Sequence, residues 1–251
     1  MKSLSRKTAI ITGASSGIGR ATALALAREG ANVVTTARRF DRVEQLARQI
    51  ADEGGSALAL RCDVREPSEV ENIVTVSRKR FGGVDILVAN AGIMPLSFMR
   101  KLHVAEWMAT VDVNLKGVLS SIAAVLPLFL EQKSGHIVTL SSVAGRKIIP
   151  GSAVYCATKY AVRALAEGLR MELSPSDNIR VTIIEPGAVT TELLTTITDA
   201  EALQGIEQIW KGKESQLLQP EDIASAIVYA VTRPPHVNVN EILIRPTNQE
   251  L

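Results

Sequence analysis

The 251 residues are 46% hydrophobic and 22% charged, with a net charge of +2 and a pI near 8.6, the balance of an ordinary globular protein. That balance argues against disordered, fibrous and disulfide-rich classes, and with no long basic run nucleic-acid binding has little electrostatic support and is not expected. Two distant cysteines, Cys62 and Cys156, and the scattered His103, His136 and His236 make neither a zinc pattern nor a disulfide framework, so no metal is expected.

In chain order, the start MKSLSRKTAIITG is positively charged, but its apolar run stops at Gly13, short of the core of a secretion signal. A strand is predicted over 8–12, then a helix over 17–29 with Gly30 at its left-handed end. Strand 32–37, helix 41–53 with Asp41 as its N-cap, strand 57–62 and helix 68–81 behind Pro67 follow. Next come strand 85–89 and helix 105–131, whose apolar stretch 117–130 contains two serines and Pro127 and reads as a buried helix short of a membrane span. No membrane partner is expected. The series ends with strand 136–141, helix 153–173, strand 180–185, helix 221–231 behind Pro220, and strand 241–245. Such alternation predicts an α/β fold, a Rossmann-type doubly wound, mainly parallel seven-stranded sheet with helices on both faces, as a single domain over 1–251. Segment 190–218 interrupts it as a long insertion bearing Leu193, Leu194, Ile197, Leu203, Ile206, Ile209 and Trp210, and reads as a substrate lid, with plain packing as the alternative.

The turn TGASSGIG brings Gly13, Gly17 and Gly19 between the first strand and helix, with Ser15, Ser16 and Ile18 completing it. Glycines let backbone N–H groups approach a pyrophosphate at a helix N-terminus, where the macrodipole favours negative charge. The spacing G-x-x-x-G-x-G is neither the standard dinucleotide fingerprint nor a P-loop, and a plain glycine turn is the alternative. After the second strand, Ala37 stands where an acid binding the ribose hydroxyl of NAD is expected, and Arg38 and Arg39 follow. Their guanidinium forks suit a 2′-phosphate, so NADP(H) is the expected coenzyme, with Arg38 as the leading contact and Arg39 as the second; solvated surface charges are the alternative.

Tyr155 and Lys159 are four residues apart and share a helix face. A free phenol titrates near about 10, and a nearby cation stabilises the phenolate. Neither Tyr160 nor Tyr229 has a lysine so placed. Ser142 ends the strand HIVTLSS thirteen residues earlier, at the sheet edge where open α/β proteins bind ligands, and its hydroxyl suits a substrate oxygen on which charge develops. The bland alternatives are a surface tyrosine with a solvated lysine, and a serine that merely ends a strand.

These pieces together resemble the single-domain short-chain dehydrogenase/reductase family. The matching motifs run in order: TGASSGIG at 12–19, CDV at 62–64, NAG at 90–92, NLKG at 114–117, SS at 141–142, YCATK at 155–159 and PGAVTT at 186–191. Ala89 departs from the pattern, many relatives having a second asparagine there. The resemblance implies that Tyr155 transfers the proton, Lys159 binds the nicotinamide ribose and lowers the tyrosine pKa, Ser142 bonds the reacting oxygen and Asn114 supports a proton relay through water. It implies adenine contacts at Asp63 and Val64, ribose contacts around Asn90, Ala91 and Gly92, and nicotinamide contacts around Pro186, Gly187, Val189 and Thr191. The implied reaction moves hydride between NADP(H) and a small-molecule ketone or aldehyde, giving an alcohol, in the manner of a carbonyl reductase or alcohol dehydrogenase. The ending PPHVNVNEILIRPTNQ looks like that of a subgroup acting on hydroxy acids, serine-like compounds or bulky aldehydes and ketones. Dehydrogenation of a small hydroxy acid and non-catalytic NADP(H) binding stay open as alternatives. Arg146 and Lys147 are candidates for holding a substrate carboxylate, or face water. A cytoplasmic homo-oligomer is expected, with the family's tetramer built on helices 105–131 and 153–173.

Overall fold

The computed structural model describes residues 2–212 and 216–249, with the side chain of Trp210 excepted. Seven strands form one parallel sheet: β1 (Thr8–Thr12), β2 (Asn32–Ala37), β3 (Ser56–Arg61), β4 (Ile86–Ala89), β5 (Gly135–Leu140), β6 (Ile179–Pro186) and β7 (Glu241–Ile244). Their order across the sheet is β3-β2-β1-β4-β5-β6-β7, and each lies within a residue of its expected bounds. The order reverses between β1 and β4, which opens a crevice beyond the carboxyl ends of these two strands.

Mainly apolar, β-branched strands at the centre of the sheet require cover on both faces, and two buried clusters supply it. On one face, α1 (Gly17–Arg28), α2 (Phe40–Asp52) and α8 (Pro220–Val231) press Leu26, Leu46, Ile50 and Ile223 against Ile11 and Val33. On the other, α3 (Pro67–Phe81), α5 (Gly117–Gln132) and α6 (Ala153–Asp177) bury Ile73, Phe129 and Val162 against Leu87, Ile137 and Ile183, and α4 (Val104–Val111) packs beside α6. Each such side chain contributes about 1.5–3 kcal/mol through burial.

The helix ends follow local chemistry. Pro67 and Pro220 both open helices, and α8 adds a reciprocal capping box between Gln219 and Asp222. Asp41 is not the N-cap of α2: Arg39 takes that place and Asp41 lies in the first turn, where its charge complements the helix dipole. α6 runs four residues beyond its expected end at 173 and carries Pro175 within its last turn.

The expected helix 105–131 is interrupted by a π-turn over Asp112–Lys116, which joins α4 to α5. The joined stretch Val104–Gln132 is long and apolar enough by composition to cross a membrane, so length does not set it apart from a span as expected. It serves as a core helix, with Val118, Ile122, Val125, Leu128 and Phe129 buried against the sheet and its covering helices.

The insertion leaves the sheet after β6. A bridge between Val189 and Leu218 ties its ends together. Between them are a 3-10 turn, Glu192–Thr196, and α7 (Ala200–Trp210). Residues 213–215 of the expected lid lie outside the described residues.

Candidate active site

A single cleft of about 1000 Å³ runs across the carboxyl ends of the central strands. Its first end is built by the β1–α1 turn. Gly13 sits at φ 69°, and a Cβ there would fall 2.8 Å from Ala91 Cα. At Gly19 a Cβ would come within 2.5 Å of both Asn90 Nδ2 and Gly13 O, so the helix enters close to the β4 loop only without side chains. Thr12 fastens that loop: its Oγ1 accepts hydrogen bonds from Asn90 N at 3.0 Å and Ala91 N at 3.1 Å. Asn90 donates in return to Thr12 O at 2.9 Å.

No side chain caps α1, and its first turn has no acidic residue, so the N–H groups behind Ser16 stand at the cleft without a side-chain acceptor, where a helix dipole favours negative charge. Beside it, Arg39 donates through Nε and Nη2 to Ser15 Oγ, through Nη2 to Ser16 Oγ at 2.9 Å and through Nη1 to Glu192 at 2.8 Å. Arg38 also lines the cleft and makes no hydrogen bond or ion pair among the described residues. Asp63 and Val64 line the floor, and the Asp63 carboxylate is already held by Arg65, whose guanidinium keeps it below the usual aspartate range.

The other end is enclosed. Tyr155 and Lys159, both 7% exposed, share one face of α6 with the lysine Nζ 5.6 Å from the tyrosine ring centre. Burial pushes the phenol up to about 12, and contact with the Ser142 hydroxyl pulls the other way. Lys159 donates to Leu140 O at 2.9 Å, and burial pushes it down to about 8. The Ser142 Oγ accepts from Ala144 N at 3.1 Å and donates to Pro186 O at 3.3 Å.

Asn114 lies in the π-turn, 1% exposed, with its side chain committed. Its Oδ1 accepts from Ile93 N at 2.9 Å, and its Nδ2 donates to Ile93 O at 2.9 Å and to Thr158 Oγ1 at 3.4 Å. An amide fixed in this way braces the β4 loop against α6.

The cleft thus brings together the expected catalytic and coenzyme-binding residues except two: Gly19 packs behind the turn, and Asn114 stands behind Gly92 and Ile93; the substrate candidates Arg146 and Lys147 do not line it. The guanidinium of Arg146 is committed within the protein. It donates to Glu185 at 2.7 Å and to Glu241 at 2.5 Å, while Arg163 Nε lies 3.6 Å from Glu185 and Nη2 3.3 Å from Glu241. Glu185 has no exposed surface, so Arg146 is the counter-ion of a buried carboxylate. Sequence reasoning missed Glu185 and Glu192; the one visible signal was an acid interrupting the apolar run of β6, and another directly following PGAVTT. From the insertion, Ile197 and Ala202 pack against Tyr155, Cys156 and Leu96, while Ile209 is exposed.

Comparisons with known proteins agree with this architecture. The short chain dehydrogenase family model matches residues 7–202. An uncharacterised oxidoreductase of Staphylococcus saprophyticus is 46% identical, with all of both chains covered. Among solved structures, the alcohol dehydrogenase of the archaeon Thermococcus sibiricus, complexed with 5-hydroxy-NADP, is 33% identical with a TM-score of 0.86 over 98% of each chain. The closed form of a serine dehydrogenase complexed with NADP+ is 32% identical with a TM-score of 0.88, over 97% of this chain and 96% of that one. By the extent of these matches and by its own fold, the chain belongs to the short-chain dehydrogenase family.

Proposed function

We propose that this protein is an NADP(H)-dependent oxidoreductase that interconverts a ketone or aldehyde and its alcohol, with Tyr155 as general acid and base. The observation that carries the reading is one cleft with an uncapped helix N-terminus and two arginines at one end and Ser142, Tyr155 and Lys159 at the other. The residues fit a dinucleotide: free N–H groups and Arg38 suit its phosphates, and the floor at Asp63, Val64 and Asn90 to Gly92 suits adenosine. Pro186, Gly187, Val189, Thr191 and Lys159 would flank its nicotinamide end. NADP-bound relatives lend the coenzyme reading support.

When bound, the coenzyme supplies hydride to the carbonyl carbon, or accepts it from the alcohol. Tyr155, with its phenol held near about 12, keeps its proton across the neutral range and is set up as the donor to the substrate oxygen. The Ser142 hydroxyl turns from Pro186 O to steady the same oxygen. Lys159 keeps its charge below about pH 8 and loses it above, so its hold on the hydroxyls of the nicotinamide ribose is expected to weaken as the pH rises through about 8. Asn114 has spent its side chain, so a relay through water would use the main chain of the widened turn.

The substrate end is roofed by Met94, Leu96, Leu193, Leu194 and Ile206, which suits an apolar carbonyl compound. With Arg146 committed to Glu185, an uncharged substrate is favoured over a hydroxy acid. We read the insertion as the lid over this end. Apolar side chains exposed on the long helices, Met108, Leu119, Tyr160 and Met171, support a homotetramer, and two buried free thiols suit the cytoplasm.

The test is a panel of ketones, aldehydes, alcohols and hydroxy acids with NADPH and NADH, followed optically. Consumption of NADPH with apolar ketones is expected. Coenzyme binding without turnover of any member would favour the non-catalytic alternative.

A further inference from the structure

The coenzyme end of the cleft contains a carboxylate that no step above uses. Glu192 directly follows Thr191, whose Oγ1 accepts from Leu193 N at 3.3 Å and so caps the turn on which Glu192 sits. Its Oε2 accepts from Arg39 Nη1 at 2.8 Å and Arg42 Nη1 at 3.0 Å, and its Oε1 accepts from Arg42 Nη1 at 2.7 Å. The two arginines hold its carboxyl down at about 2, so it is charged throughout the working range of any enzyme.

A guanidinium carries five N–H donors. Arg39 already spends four donor contacts, two on Ser15, one on Ser16 and one on Glu192. A phosphate dianion that takes Arg39 in a two-pronged grip must therefore displace one of these partners. Glu192 is the partner it would repel. The ion pairs are also the kind that exchange: Arg39, Arg42 and Glu192 are each 43–47% exposed. Arg38 lines the same cleft without a hydrogen-bonded carboxylate among the described residues, feeling Asp63 only at longer range, and its donors are open to phosphate from the start.

We propose that Glu192 is a coenzyme-specificity residue, an internal counter-ion of Arg39 and Arg42 that competes with the 2′-phosphate of NADP(H) for their donors. The inference rests on the NADP(H) reading above. Its consequence reaches the other end of the cleft, because the turn begun by Glu192 also carries Leu193 and Leu194 of the roof, and Thr196, whose Oγ1 accepts from Met94 N at 2.9 Å.

The experiment measures dissociation constants of NADPH, NADH, 2′,5′-ADP and 5′-AMP for the wild-type protein and for Glu192→Gln, by coenzyme fluorescence and calorimetry. Glu192 is half exposed and its replacement is nearly isosteric, so the fold is retained. Removing the charge is expected to tighten NADPH and 2′,5′-ADP by roughly three- to tenfold, the reach of one screened surface charge. NADH and 5′-AMP should stay within about twofold. Wild-type preference for NADPH, combined with a Glu192→Gln shift that is absent, reversed or shared by NADH, overturns the inference alone. Wild-type protein that binds NADH as tightly as NADPH removes the NADP(H) reading and the inference together.

Discussion

The two ends of the cleft hold their polar groups by different means. At the reacting end, Lys159, Asn114 and Ser142 are buried or half-buried and fixed largely by main-chain groups: Leu140 O, both polar atoms of Ile93, and Ala144 N with Pro186 O. At the coenzyme end, Arg39, Arg42 and Glu192 are half exposed and held mostly by one another and by two serines. Main-chain partners cannot rearrange without moving the sheet, so the first arrangement suits chemistry that needs a fixed geometry. Side-chain partners in water exchange readily, and the second arrangement suits a site that must release one anion to take another.

The largest expected effect separates the two ends outright. Tyr155→Phe should lower turnover by roughly 100- to 10,000-fold, the range for loss of a general acid, while NADPH affinity changes little. Steady-state rates beside coenzyme titrations check this, and near wild-type turnover would remove the tyrosine from the mechanism.

Next comes the buried carboxylate that braces the reacting end. Glu185→Ala strips Arg146 and Arg163 of a counter-ion with no exposed surface of its own. The expected loss is about 2–3 kcal/mol, less than for a fully enclosed pair because both arginines reach water. Urea unfolding measures it, and a loss under about 0.5 kcal/mol would place this network in the exchangeable class.

A third test is a pH slope. His136 is buried in β5 with Nε2 2.8 Å from Thr182 Oγ1, and burial pushes it from 6.5 down to about 3. Below pH 6.5 the unfolded chain binds a proton that the native state refuses until about pH 3, so stability falls as the medium is acidified between those values. The slope from this one group approaches about 1.4 kcal/mol per pH unit, and His136→Gln should flatten it. An unchanged slope would mean that other groups dominate acid unfolding.

The smallest effect belongs to the exposed end. Arg42→Ala should change stability by less than about 1 kcal/mol in urea unfolding, because the pair it breaks is screened by water. A larger loss would show that the coenzyme end is built as rigidly as the other.

Much of the fold was legible because a parallel sheet covered by helices calls for short, mainly apolar and β-branched strands, and all seven such runs lie within a residue of where the pattern put them. Tyr155 and Lys159 were legible for a similar local reason: four residues in a helix is one turn, so shared facing follows from spacing alone. The electrostatic effect attached to that pair was not legible. It depends on burial and on Lys159 spending a donor on Leu140 O, and neither can be read from spacing. The π-turn at Asn114 was equally hidden, because Asp112–Lys116 has ordinary helical composition and the extra residue is accommodated through the hold of Ile93 and Thr158 on the amide.

The sequence by itself determined the strand and helix order, the glycine turn and the chemical inventory of the cleft, since these follow from periodicity and backbone stereochemistry within a few residues. Only the tertiary structure decided which charges meet. Glu192 pairs with Arg39 across 153 positions of chain, and Arg146 with Glu185 across 39. Such partners are chosen by where packed elements bring their ends together, and Coulomb attraction acts through space with no regard to separation along the chain.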